Sequence, residues 1–202
     1  IYALKGRPPG HPLIVHLASA DALDAWAADV PPVARRLADR FWPGPLTLVL
    51  PRAPGVPDEV TGGQASVGLR VPSHPVAHAL LAAFGGGVAA PSANRYGRVS
   101  PTRAAHVREE FGAAVPRVLD GGDCDVGLES TIVACLGDAP LLLRPGHVSH
   151  AELESVAGPV RRAAAGEGPR APGTTRSHYA PATPVRLVDA DALADAHDAT
   201  VA

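Results

Sequence analysis

Methionine is absent from this chain, and lysine nearly so: Lys5 is the single lysine among 18 Lys and Arg residues. A chain that opens at Ile1 without methionine leads us to expect a fragment whose natural beginning is missing. The two cysteines, Cys124 and Cys135, show neither CxxC nor metal-type spacing, which suits reduced thiols in a cytoplasmic protein. Aromatic residues make up only 4% of the chain and are not interleaved with basic ones. With a net charge of −2 this argues against an RNA-binding module, which needs stacking platforms on a basic surface. No apolar run reaches membrane-spanning length, so no membrane partner is expected. There is no GxxxxGK[ST] phosphate loop, because Lys5 is followed by Gly-Arg, and no GxGxxG follows a strand. His74 and His78 stand four apart without the glutamate of a HExxH zinc site, and no metal ligands are assigned.

What is present is a globular composition, 46% hydrophobic and 19% charged, in 202 residues. That length suits one full domain and part of another. Short strands are expected at Ile14 to Leu17, at "PLTLVLP", at "SVGLRVP", in "VAAPSAN", and in "RVLD", "STIVACL" and "PLLLR". Helices are expected after Ser19, from Pro32 to about Phe41, over "VAHALLAAF" up to Gly85, after Ser100-Pro101 as an N-cap and N1 pair, and after Ser149. Strands and helices mix without strict alternation. The expected fold is therefore α/β with a mixed parallel and antiparallel sheet and flanking helices. From about Gly158 the composition turns to Gly, Pro, Arg and Ala without periodicity, and reads as a linker. We expect a catalytic domain over 1–157, a linker over 158–181, and the start of a truncated second α/β domain over 182–202.

Several segments carry groups that suit an anionic, hydroxyl-bearing ligand. In "KGRPPG", Lys5 and Arg7 would lie on alternate residues of an extended segment and clamp one polyanion, although a solvated charged turn accounts for the spacing as well. Ser92 and Asn94 in "APSAN" put small polar side chains on one side of a strand end, where a local turn is the alternative. Ser100 reads as a helix cap or as an anion contact. Arg70 is flanked by Leu69 and Val71; if those two are buried, Arg70 faces the other way. Ser130 opens a buried-looking strand, and Arg144 ends one at a turn.

The segments "KGRPPGHPLIVHL", "WPGPLTLVLP", "SVGLRVPSHPVAHALL", "AAPSAN", "SPT", "GLESTIV" and "LLLRPG", in this order and spacing, resemble the YrdC-like threonylcarbamoyl-AMP synthases. "APGTTRSHYAP" resembles the linker of that family's long, two-domain form. The resemblance implies a twisted sheet enclosing a deep basic cavity. It also implies synthesis of threonylcarbamoyl-adenylate and pyrophosphate from L-threonine, bicarbonate and ATP, with Mg²⁺ on the phosphates. A tRNA threonylcarbamoyl-transferase complex would be the downstream partner, with at most weak contact to tRNA. By position the resemblance implies catalytic roles for Lys5, Arg7, Ser92 and Asn94. It implies ATP contacts at Lys5, Arg7, Ser66, Ser92, Ser100, Arg144 and Tyr179, and threonine contacts at His16, Arg70, Ala90 and Ser130. The alternatives are the RNA-binding module and a carbamoyl-adenylate-forming domain of a carbamoyltransferase.

Overall fold

The computed structural model describes residues 1–174, together with Thr183 and Asp189. In chain order it contains α1 (Tyr2–Lys5), β1 (Ile14–His16), α2 (Leu23–Trp26), α3 (Pro32–Phe41), β2 (Leu46–Pro51), α4 (Asp58–Thr61), β3 (Ser66–Arg70), α5 (Pro75–Phe84), β4 (Val88–Ala89), α6 (Ala104–Phe111), β5 (Thr131–Ala134), β6 (Leu141–Arg144), α7 (His150–Ala157) and β7 (Arg161–Arg162). Seven strands form one sheet in the order β4-β1-β3-β2-β5-β6-β7. The pairs β1·β3, β2·β5 and β6·β7 are parallel, and the other three are antiparallel, so the sheet is mixed as expected. None of the described helices is long and apolar enough to cross a membrane.

The period-two alternation of the central strands divides the sheet into two unequal faces. Val15, Leu46, Leu48, Leu50, Val67, Leu69 and Val133 point to one face, where they join Ala34 and Leu37 of α3 and Leu153 of α7 in the main core. Each such leucine, with essentially no exposed surface, stabilises the fold by about 1.5–3 kcal/mol relative to exposure. The second face carries only a small apolar group of Ile14, Val49, Ile132 and Ala134, covered by Ala171. Polar residues at the ends of its strands are left over, and these build the site.

Helix ends follow their sequence signals in places. Gly85 closes α5 with φ 71, a left-handed conformation, and Ser149 opens α7 in a full capping box with Glu152. Three local expectations are corrected. Residues 2–5 form a helical turn, and Gly6 at φ 64 reverses the chain, so Lys5 and Arg7 do not share an extended segment. α6 begins at Ala104, not at Ser100-Pro101. The Ser100 hydroxyl is engaged by Glu129 instead; the N-cap position falls to Arg103, which makes no side-chain cap bond, and the Thr102 N–H donates to His106 Nδ1 at 3.3 Å. "RVLD" is not a strand; Val118 and Leu119 lie in the irregular connection from α6 to β5 and line a cavity. Within the segment read as a linker, Arg161–Arg162 pairs with β6 at the edge of the sheet.

Candidate active site

The ends of β3, β5 and β6 open into a cavity of about 1310 Å³. α1, the loop that follows β4, α6 and the connection from α6 to β5 supply its walls. This exceeds the few hundred to about 1000 Å³ of a typical small-ligand pocket and has room for two ligands at once.

Arg70 arrives by strand alternation. Leu69 and Val71 are buried at 0% and 2% exposure, so Arg70 is turned to the opposite face and lines the cavity. Its Nε donates to the Gly44 carbonyl at 3.0 Å. Burial depresses its pKa, the Glu129 carboxylate works against that, and Arg144 adds to it.

Arg144 arrives by a different device. Leu142 faces the main core, so a regular strand would send Arg144 there too. The β5·β6 register shifts between Ile132 and Val133, pairing Ile132 with Arg144 but Val133 with Leu142. That bulge re-aims Arg144 to the second face, where it lines the cavity. There its Nε and Nη2 donate to the Ser130 carbonyl at 3.1 and 2.7 Å, its Nη2 to Ser130 Oγ at 3.0 Å, and its Nη1 to the Pro172 carbonyl at 2.8 Å. Ser130 Oγ also lies 2.9 Å from Thr47 Oγ1. Arg144 is thus a strut holding the Ser130 turn to the start of the following segment.

Lys5 ends α1 and reaches across to the loop after β4, donating to the main-chain oxygens of Ser92, at 2.5 Å, and of Asn94. Burial, reinforced by Arg7, lowers its pKa to about 8 against the pull of Glu110 and Glu129. The cavity lining therefore includes Lys5, Arg70, Ala90, Ser92, Ser100, Ser130 and Arg144 from the residues singled out in the sequence.

The others are placed elsewhere. Arg7 does not line the cavity; its guanidinium donates to the Pro12 carbonyl at 2.6 Å and lies 5.7 Å over the Tyr96 ring. Asn94 is buried behind the loop, its amide nitrogen donating to the carbonyls of Arg95 and Arg98 at 2.9 and 2.8 Å. Its Oδ1 is buried without a hydrogen-bond partner among the described residues. Ser66 borders a separate, much smaller pocket under Arg170 and Ala171. His16 lies beside Arg70 in the β1·β3 register, and burial together with the Arg70 charge lowers its pKa to about 4. It is a neutral imidazole at ordinary pH. Tyr179 falls outside the described residues.

Sequence reasoning overlooked Glu129. Its carboxylate accepts from the Ser100 hydroxyl and stands 3.8 Å from Arg144 Nη2. A glutamate directly before the Ser130-Thr131 pair that opens a buried apolar strand was the available signal. Gly146 is also part of the site: a Cβ there would come within 2.5 Å of the Glu129 oxygen and the Thr131 nitrogen, so only glycine lets this turn close on the Glu129–Ser130 peptide.

Comparison with known proteins places this arrangement among relatives. A family model described as Sua5_yciO_yrdC, telomere recombination, matches residues 1–146. A second, described as threonylcarbamoyl-AMP synthase, C-terminal domain, matches residues 148–201. The threonylcarbamoyl-AMP synthases of Bacillus subtilis and Pyrococcus abyssi are 41% and 43% identical over 194 residues, each alignment covering 94% of this chain. It covers 56% and 57% of those relatives, so the chain spans about half the length of the curated relatives it matches. The crystal structure of P. abyssi Sua5 complexed with L-threonine superposes with a TM-score of 0.85 at 43% identity, covering 89% of this chain and 54% of that one.

Proposed function

The chain belongs to the Sua5/YrdC family of threonylcarbamoyl-AMP synthases, and on that premise we propose that its cavity makes threonylcarbamoyl-AMP and pyrophosphate from L-threonine, bicarbonate and ATP. The observation that carries this reading is the convergence of Lys5, Arg70, Ser92, Ser100 and Ser130, from well-separated segments, on one hollow large enough for a nucleotide and an amino acid. In the proposed reaction the threonine amine takes up bicarbonate-derived CO₂ as a carbamate. A carbamate oxygen attacks the α-phosphorus of ATP, and pyrophosphate leaves. The protein orients the two ligands and neutralises charge; it need supply no nucleophile. Lys5 faces the phosphates as a compact charge, Ser92 and Ser100 offer hydroxyls to the nucleotide, and Arg70 takes the threonine carboxylate beside Ala90 and Ser130. His16 stands alongside Arg70, while Arg7 and Asn94 hold the Lys5 loop in shape.

Among the described residues no group of three or more His, Cys, Asp or Glu side chains is placed to hold a metal. Mg²⁺ is proposed here as the counter-ion of the ATP phosphates. We read residues 1–157 as the catalytic domain. α7 lies within the second family match, yet Val148 and Leu153 are buried in the main core. Residues 158–181 are proposed as a linker bringing Tyr179 toward ATP, and 182–202 as the start of a second domain. A cytoplasmic transferase complex acting on the tRNA adenosine next to the anticodon would consume the product.

The test is pyrophosphate release from ATP and bicarbonate by the full-length protein, with and without threonine. Threonine-dependent release is expected. Release driven by carbamoyl phosphate instead, or tight RNA binding with no release, would replace this reading with one of its alternatives.

A further inference from the structure

Two groups in the cavity keep hydrogen-bonding capacity that the protein leaves unspent. Arg70 commits its Nε to the Gly44 carbonyl, while its two terminal nitrogens have no hydrogen-bond partner among the described residues. Glu129 commits Oε1 to the Ser100 hydroxyl, while its Oε2 lies 3.8 Å from Arg144 Nη2, beyond hydrogen-bond length. Arg144 contrasts with both, since its Nε and both terminal nitrogens donate to carbonyls of Ser130 and Pro172. The acidic residues lining the cavity, among the described residues, are Asp125 and Glu129. Asp125 is exposed, whereas Glu129 is half-buried among the cations. The Glu129 charge also offsets part of the cost of burying the Arg70 guanidinium, and both side chains line the same cavity.

An open guanidinium fork and an open carboxylate oxygen lining one cavity match a ligand carrying both charges, as an α-amino acid does. ATP carries no such positive group. The same cavity lining includes the small or compact residues Ala89, Ala90, Pro91 and Ala93.

We propose that Glu129 is the amine-binding residue of this cavity, its Oε2 receiving the ammonium group of an amino acid whose carboxylate lies on the Arg70 fork. This rests on the reading of the cavity as a threonine site and adds to it the group that tells an amino acid from a plain hydroxy acid. Glu129 then fixes where the amine stands in the cavity.

The experiment is calorimetric titration of the full-length wild type and the Glu129→Gln variant with threonine, with 3-hydroxybutanoate (threonine without its amine) and with ATP. Gln keeps an acceptor for Ser100 and removes only the charge. The wild type is expected to prefer threonine over the deaminated analogue by about tenfold or more, the size of one charged hydrogen bond. Glu129→Gln is expected to lose that preference, with ATP and 3-hydroxybutanoate affinities each changed less than about threefold. Glu129→Asp retains the charge one methylene further back and is expected to keep part of the preference, which provides a reading should the Gln variant fail to fold. A wild-type preference surviving in these variants, or equal losses for threonine and its analogue, overturns the proposal while leaving the threonine site standing. Failure of the wild type to bind threonine at all overturns both.

Discussion

The Lys5 ammonium donates to the main-chain oxygen of Ser92 at 2.5 Å, joining residues 87 positions apart. That bond and its companion to Asn94 give the single lysine two duties. It closes the N-terminal turn against the loop after β4, and it leaves a third N–H for a ligand in the cavity.

Lys5 makes ligand binding sensitive to alkaline pH. Its pKa in the fold, about 8, lies below the ordinary 10.5. Between those values the unfolded chain holds a proton that the folded chain has released. Lys5 therefore makes stability rise with pH across that window even as the cavity loses its charge. ATP affinity of the wild type is expected to fall by up to about tenfold from pH 7 to pH 9, while Lys5→Arg stays flat over the same range. Turnover of Lys5→Arg is expected to drop, because a planar fork cannot reach two carbonyls and a phosphate as a compact ammonium does. Titrations at several pH values, with turnover measured alongside, decide this, and an Arg variant with unchanged turnover contradicts it.

His16 has the same sign of shift on the acid side. Its pKa in the fold, about 4, lies below the usual 6.5, so the unfolded chain binds the extra proton between those values. Stability contributed by the neutral imidazole is full above about pH 6.5 and drains away as pH falls toward 4. Urea unfolding across that range is expected to show a steeper acid loss in the wild type than in His16→Gln. Parallel curves would mean that the imidazole is not buried as described.

Gly146→Ala is expected to be costly in a way few glycine substitutions are. The new Cβ would press on backbone atoms of Glu129, Ser130 and Thr131, which cannot swing aside as a side chain would. A loss of about 1–3 kcal/mol in thermal or denaturant unfolding is expected, accompanied by weaker threonine binding because the Glu129–Ser130 peptide must shift. Wild-type stability with wild-type threonine affinity would show that the turn has slack.

Much of this site was legible where a local rule governs it. "SVGLR" alternates, so burying Leu69 and Val71 forces Arg70 to the other face, and the structure follows. Pro32–Phe41 and the Ser149 cap behaved as helix signals dictate. The rest depended on pairing between distant segments. Nothing in "PLLLRPG" announces the bulge that turns Arg144 from the core face to the cavity, because a bulge belongs to two strands and not to one. Arg7 and Lys5 are two residues apart but part company at a left-handed Gly6, with Lys5 entering the cavity and Arg7 bracing it against Pro12 and Tyr96. Glu129 escaped notice because a carboxylate in a cationic site gains meaning only once the cations are seen around it. Ser66 alternates with Val67 and so shares the Arg70 face, but it borders a separate small pocket closed by Ala171 and Pro172.

Everything above depends on one hollow holding both ligands, and a crystal structure of the full-length protein with threonine and a non-hydrolysable ATP analogue addresses that most directly. We expect the threonine carboxylate on the terminal nitrogens of Arg70, its amine at Glu129, and the triphosphate within reach of Lys5. Ligands bound on another surface, with Lys5 and Arg70 left facing solvent, would contradict the account.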